Sequence, residues 1–471
     1  MGPMADRPMH DERHMTGFET LMWNLDADPR LSSTIANITV LDRSPDWDRL
    51  MRRLDRASSL VPRLRQRVVS TPGGMLPPRW ASDTDFDLSH HVRRVSMGRK
   101  RSRRAMFDLA AEIFSQPFDR DRPLWDFVVI EGMADGRAAM LQRLHHAVTD
   151  GIGGLRISEQ FVDIERDAPE PPPVDPPDPT DADAAGSWGE VGQAVTHLAR
   201  QQFDDVRRRA DGARSVLAQP QQLLRGAADS VGVLRSTVRQ AGLTEHRLSP
   251  LWSERSLERR IDTIDLPLDA VKAAARALGG TVNDLFVAGA LAGSGEYHRH
   301  AGVQADALRV AMPVSTRRGD KSAGGNLFSP SQTVLPTAAM EPKERFEIVR
   351  ERLSATKSEP ALGAVESLAG ALNILPHPLL VWAGYRASST VDFVTSNMRA
   401  APFDIYLAGA LMESNYPLGP LAGTAFNLST MSYRGTLDMG LVSDPAAIEE
   451  PELLVRCIER GFRELLAASG A

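Results

Sequence analysis

The sequence predicts an α/β (α+β) protein built on two sheets. Strand-like and helix-like segments alternate in two stretches of the chain, and the run RDAPEPPPVDPPDPTDADAAG at 166–186 separates them. Hydrophobic residues at 42% and charged residues at 25% lie near the globular average, and 471 residues suffice for two or three domains with a large core. No apolar run reaches the roughly 18 residues of a spanning helix.

In the first stretch, IANITVLDR (35–43) and LWDFVVIEGM (124–133) are rich in β-branched and aromatic residues and read as strands. Between them SRRAMFDLAAEIFS (102–115) reads as a helix, with Met106, Phe107, Leu109 and Ile113 on a broad apolar face. RAAMLQRL (137–144) reads as a further strand that delivers an adjacent histidine pair at its end. The prolines of the break remove backbone donors and its acids repel one another, so an extended, exposed connector is expected there.

After the break, residues 188–242 show Val191, Val195, Leu198, Phe203 and Val206 at helical spacing. Strand patterns return with RRIDTIDLP (259–267) and LRVAMPVST (308–316). LDAVKAAARALG (268–279) and TVNDLFVAGALAGSGEYHRH (281–300) read as helices, with Gly279–Gly280 as the stop between them. TAFNLSTMSYRGTLDMGLVSD (424–444) reads as a hairpin turning at Arg434–Gly435. The last helix, PELLVRCIERGFRELLAAS (451–469), lines up Leu453, Leu454, Cys457, Ile458, Phe462 and Leu465.

Charge and cysteine content narrow the function. A net charge of −6 and a pI near 6.0 argue against a general nucleic-acid binder. One cysteine, Cys457, excludes an intrachain disulfide framework and fits a reducing cytoplasm. The leading MGPMADRPMHDERHMTG lacks the apolar core of a signal peptide. A soluble or peripheral protein is expected.

Chemistry concentrates in LQRLHHAVTDG (141–151). If the strand continues into the pair, His145 and His146 point to opposite faces, which disfavours shared metal ligation, and no third ligand is evident. Two histidines satisfied by backbone groups near a strand end would be the plain structural alternative. Asp150 can orient a local loop or pair with a cation, and Gly151 allows close backbone approach. DGIGG then feeds the helical-looking LRISEQFVDI (155–164). A neutral imidazole at such a junction, with an unperturbed pKa of about 6.5, can take a proton from an alcohol as it attacks an activated acyl group.

No enzyme-bound ester is needed for that reaction, and the chain contains no G-x-S-x-G elbow. AGSGE (292–296) has alanine where a nucleophile elbow needs glycine, and Cys457 sits on an apolar helix face. No Walker sequence is present, and GIGGLR (151–156) fails the dinucleotide fingerprint.

The motif HHAVTDG matches the HHxxxDG pattern of the chloramphenicol-acetyltransferase-like superfamily, which includes nonribosomal peptide condensation domains. Further strings follow in order: VPRLRQRV (61–68) with Trp80, FDLSHHVR (86–93), PFDRDRPLW (117–125), TVNDLFVAGALAG (281–293), VAMPVSTR (310–317), GGN (324–326) and NLSTMSYRGTLDMGLVSD (427–444). As a set they resemble the bacterial wax ester synthase/acyl-CoA:diacylglycerol acyltransferases. The resemblance implies two acetyltransferase-like domains, at 1–165 and 251–471, with a connector and linker helices at 166–250. It implies an active site in a tunnel at the domain interface.

It further implies that His146 is the general base, with His145 supporting, Asp150 structural and held by an arginine such as Arg317, and the backbone near Gly151 close to the site. Asn283 and Asp284 would line or brace the tunnel. Pro123, Leu124 and Trp125 are read as packing. The expected partners are a long-chain acyl-CoA as substrate and a lipid alcohol, diacylglycerol or fatty alcohol. No cofactor, metal or nucleic acid is expected.

Two departures bear on substrate choice. SNMRAAP (396–402) stands where the family shows SNVPGP, and Glu19 in GFETLMWNLD (17–26) stands where it commonly shows Asp. The first keeps a condensation-type reading open, with a carrier-protein thioester or a non-glycerolipid acceptor. A catalytically idle lipid-binding protein is the third reading. RRVSMGRKRSRR (93–104) is strongly cationic; it reads as a solvated loop, or as a patch for coenzyme A phosphates or an anionic lipid surface. Peripheral association with a membrane or lipid droplet from the cytoplasm is expected of this chemistry.

Overall fold

A computed structural model describes residues 14–70, 77–175, 246–315, 328–357, 369–370, 372–373 and 375–470. The helical reading at 188–242, Arg317 and the GGN string fall outside the described residues.

The first stretch runs α1 (Gly17–Leu25), β1 (Thr34–Leu41), α2 (Trp47–Leu60), β2 (Gln66–Val69), β3 (Arg79–Ser82), α3 (Leu88–His91), β4 (Val92–Ser96), α4 (Arg103–Ser115), β5 (Trp125–Glu131), β6 (Ala138–His145) and α5 (Gly151–Ser158). The second begins with β7 (Arg260–Pro267), α6 (Leu268–Ala277), α7 (Val282–His300), β8 (Ala307–Ser315), β9 (Phe328–Pro336) and α8 (Pro342–Lys357). It continues with α9 (His377–Ser388), β10 (Phe393–Arg399), β11 (Tyr406–Leu407), β12 (Ala410–Leu418), β13 (Phe426–Tyr433), β14 (Thr436–Ser443) and α10 (Pro451–Ser469).

The strands form two six-stranded sheets and the small β2–β3 pair. The first sheet has the order β11-β12-β1-β6-β5-β4, and the second β7-β14-β13-β10-β8-β9. Strands β11 and β12 thus leave the second stretch and complete the sheet of the first. β12 lies antiparallel to β1, pairing Ala36 with Leu418, and it also packs on β13 and β14 of the other sheet. The two sheets are stitched together by one segment of chain.

Burial explains the composition of the interior strands. Every residue of β6 is buried, because β1 and β5 flank it and both faces are covered. Such a strand reads as a near-continuous apolar run rather than an alternating one. Its exceptions are satisfied: Arg143 donates Nε to Asp126 at 2.8 Å and Nη1 to the Gln116 carbonyl at 2.8 Å. On the second sheet, α7 and α10 bury Leu285, Phe286, Leu291, Ile458, Phe462 and Leu465 in one cluster.

The predicted hairpin forms with its turn at Arg434 and Gly435, whose φ angles are +47° and +81°. Two left-handed residues in succession match the twist of the flanking strands. Arg434 is an unfavourable residue there, and its Nε–H to Asp404 at 2.6 Å offsets part of the strain. The start of the connector, as far as residue 175, is extended and largely exposed, and it is also held to the fold. Its first residues lie along α2, where Arg49, Arg53 and Arg56 donate to the carbonyls of Arg166, Pro169 and Pro172. Proline lacks an N–H but keeps its carbonyl, so arginines can strap a proline-rich segment down.

Candidate active site

Strand β6 ends at His145, so His146 falls in the turn rather than on the strand. The turn is pinned on three sides. His145 N–H donates to Leu124 O, His146 N–H to Ser33 O and Val148 N–H to His145 O, each at 2.9 Å. Leu124 belongs to the PLW string, whose Leu124 and Trp125 are core residues; Trp125 also donates its indole N–H to Leu64 O at 2.8 Å.

The two histidines are chemically unlike. His145 is 1% exposed, and its Nδ1 accepts the Ala147 N–H at 3.0 Å, which leaves the ring proton on Nε2. Burial, reinforced by His146 and Arg120, pushes its pKa down to about 3. Its Nε2 lies 3.8 Å from Asp26 Oδ1, too far for a hydrogen bond. The ring meets Trp23 edge-on at 6.2 Å, and the Arg120 guanidinium covers Trp23 at 3.5 Å. His145 is a neutral, sealed prop. His146 is only partly buried, in contrast to its neighbour.

Asp26 was not foreseen, and no spacing in GFETLMWNLD marks it. Burial raises its pKa, against a hydrogen bond from Ser33 N–H at 3.0 Å and the field of Arg120. Ser33 in turn accepts from His146 through its carbonyl, so Asp26 braces the turn through one peptide.

Asp150 acts as a helix cap. Its Oδ1 accepts the Gly153 N–H at 2.8 Å and its carbonyl the Gly154 N–H at 2.8 Å. The sequence reads DGIGG as a loop feeding a helix at Leu155; the cap instead starts α5 at Gly151, with the glycines in its first turn. Gly151 sits in close approach to Met398: a Cβ there would meet the Met398 sulfur, so that side chain would have to move. Met398 is on β10, so the motif closes against the second sheet through the departing SNMRAAP string.

The remaining predicted residues fare differently. Asp284 is buried, and its Oδ2 accepts the Thr281 N–H and hydroxyl, both at 2.8 Å, as a capping box of α7. Its hydrogen bonds stay within that turn. Asn283 is half-buried beside it, and Arg317, proposed to hold Asp150, lies outside the described residues. Glu19 makes a capping box with Thr16 at the start of α1. In the cationic string, Arg101, Arg103 and Arg104 are engaged by the Gly132 carbonyl, the Tyr416 hydroxyl and Asp262; Arg93, Arg99 and Lys100 face solvent.

Among the described residues, the candidate metal-ligating cluster is Glu296, His300 and Cys457, and neither motif histidine belongs to it. Arg460 already pairs with Glu296, and burial pushes the Cys457 thiol up to about 11, so the cluster is held in a form unsuited to coordination. What the histidine turn offers chemically is a second, less buried imidazole on a backbone fixed by hydrogen bonds.

Residues 15–286 match the wax ester synthase/diacylglycerol acyltransferase catalytic domain, and residues 324–466 the C-terminal domain of the same family. A Mycobacterium tuberculosis relative named for diacylglycerol O-acyltransferase activity is 36% identical over 455 residues, covering 96% of this chain and 91% of the relative. Another from that organism is 30% identical over 427 residues, covering 87% and 89%. Among solved structures, the wax ester synthase/diacylglycerol acyltransferase from Marinobacter aquaeolei superposes with a TM-score of 0.64 at 19% identity, covering 97% of this chain and all of that one. The first condensation domain of the CDA synthetase superposes at 0.56 and 16% identity, covering 97% and 96%.

Proposed function

The chain belongs to the wax ester synthase/diacylglycerol acyltransferase family and is an acyltransferase, and from that premise we propose that it transfers the acyl group of a long-chain acyl-CoA to a lipid alcohol, a diacylglycerol or a fatty alcohol. His146 accepts the hydroxyl proton through its neutral imidazole as the oxygen attacks the thioester carbonyl carbon. The tetrahedral intermediate collapses with loss of the C–S bond. The imidazolium returns the proton to the departing thiolate, giving the ester, free coenzyme A and a neutral His146. Acyl-CoA is a substrate in this scheme, and no further cofactor enters it.

The supporting observation is the division of labour in the histidine pair. His145 is sealed, neutral and hydrogen-bonded to the turn, while His146 is partly open on a backbone fixed by Ser33. A base held this way needs little reorganisation as its proton arrives. The reading includes attachment to a membrane or lipid-droplet surface, since the acceptor partitions into lipid. Helix α9 supports it by leaving Leu379 46% and Trp382 62% exposed. Among the described residues no helix is long and apolar enough to cross a membrane.

The test is an assay of purified protein with a long-chain acyl-CoA and a mixture of diacylglycerol and fatty alcohol. Coenzyme A release and mass-spectrometric identification of the ester are the readouts. Retention of near-normal turnover by His146→Ala would refute the assignment.

A further inference from the structure

A shallow, solvent-open cleft lies between the turn after α1 and the segment entering β7. Pro29, Arg30, Arg255, Glu258, Arg259 and Thr424 are among its lining residues. Arg255 donates Nε to Gly423 O at 2.7 Å and Nη1 to the carbonyls of Trp252 and Glu254 at 2.8 and 2.6 Å. Its buried Nη2 has no hydrogen-bond partner. Arg259 donates Nη1 to Phe114 O at 2.9 Å and stacks on the Phe114 ring at 4.4 Å. Neither guanidinium stands in an ion pair among the described residues.

Of the nearby acids, Asp28 pairs with Arg30 at 2.6 Å, and the field of Asp444 reaches Arg255 without an ion-pair contact. Asp444 accepts the Ser256 N–H, the Ser256 hydroxyl and the Ala446 N–H, at 2.7, 2.6 and 2.9 Å, so its oxygens are directed away from the free Arg255 Nη2 and the Arg259 guanidinium. Glu258 is exposed. Burial, with Arg247 and Arg143 as like-charged neighbours, pushes Arg255 and Arg259 down to about 10. Both remain cations at any physiological pH. Two such groups in one cleft form a seat for an anion.

The field of Arg259 reaches Asp26, whose Oδ1 lies 3.8 Å from His145 Nε2. We propose that this cleft binds the phosphate groups of acyl-CoA, with Arg255 and Arg259 as its inner donors and Arg30 at its mouth. The assignment rests on the acyl-CoA reading above. An anionic phospholipid headgroup offers the same chemistry, and the test separates the two.

Calorimetry with coenzyme A and with 3′,5′-adenosine diphosphate compares the wild type, Arg259→Gln and Arg30→Glu at fixed ionic strength. Both variants are expected to bind at least about tenfold more weakly. The ratio of kcat/KM for an acyl-CoA over the matching acyl-pantetheine should fall by a similar factor, with the loss in KM. Melting curves check the fold. If Arg259→Gln does not fold, Arg30→Glu, on an exposed side chain, carries the test. Equal coenzyme A affinity in all proteins overturns the proposal. So does weakened binding to phosphatidylglycerol vesicles with coenzyme A binding intact, which assigns the cleft to lipid. A wild type that binds coenzyme A in this cleft yet transfers no acyl group defeats the acyltransfer reading and leaves the cleft assignment standing.

Discussion

Asp438 on β14 accepts the backbone N–H of Asn415 on β12 at 2.7 Å, a buried bond that joins the two sheets. The contact matters because β12 is the segment that leaves one sheet to complete the other. Asn415 is itself held from the first sheet, its Oδ1 accepting from the Thr39 hydroxyl at 3.0 Å and from Asn37.

The junction predicts a pH dependence of stability. Burial, with repulsion from Asp265, raises the Asp438 carboxyl to about 7, against the Asn415 N–H and Arg103. The unfolded carboxyl ionises near its ordinary 3.8 while the folded one keeps its proton. The stability it contributes is therefore complete below about pH 4 and is lost as pH rises through about 7. At about 1.4 kcal/mol per pH unit the difference is at most about 4 kcal/mol. Asp438→Asn, which keeps an acceptor for Asn415, should melt well above the wild type at pH 8, by less at pH 5, and near it at pH 4. Parallel melting curves for the two proteins across that range would count against the junction's role.

His145 predicts the opposite slope. Its folded pKa of about 3 lies below the 6.5 of a free imidazole, so its contribution is lost as pH falls from 6.5 towards 3. His145→Gln should lower kcat by disturbing the turn, yet leave the acid midpoint of the activity profile where it is. His146→Ala should lower kcat by roughly 10²–10⁴. A shifted acid midpoint in His145→Gln would make His145 the titrating base.

Asp150 is predicted to act through geometry. Asp150→Asn keeps the acceptor for the Gly153 N–H and should lose less stability than Asp150→Ala. Asp150→Ala should destabilise by about 1 kcal/mol and reduce kcat, because α5 begins at the residue packed under Met398. Equal losses in both variants would point instead to a requirement for charge.

Much of this was legible in the sequence where local signals decide the outcome. The apolar run of β6 carries His145 to its end, and the hairpin turn is marked by Gly435 between two strand patterns. The crossover of β11 and β12 was not legible, since a short strand carries no mark of which sheet it joins. Asp284 and Asp150 were found as polar residues in suggestive strings. Their hydrogen bonds as caps depend on where each helix starts, and for α5 the glycines hid that boundary. Asp26 and the arginines of the cleft come together only in three dimensions.

The last prediction concerns Gly151 and Met398, and it tests whether the departing string shapes the site. A methyl added at Gly151 would meet the Met398 sulfur, so one of the two must move. Met398 is half-buried and its thioether is flexible, so the displaced chain can swing away. Gly151→Ala should then lower kcat/KM by roughly tenfold by shifting α5 or crowding the space beside the motif. Met398→Ala removes the obstructing sulfur, and the double variant should recover most of that loss, a coupling of about 1–2 kcal/mol. Met398→Ala alone should favour bulkier acceptors relative to smaller ones, and Met398→Phe the reverse, by about 10-fold each. Additive losses in the double variant, with the acceptor preference unmoved in the single ones, would show that Met398 only fills space on the far side of the turn.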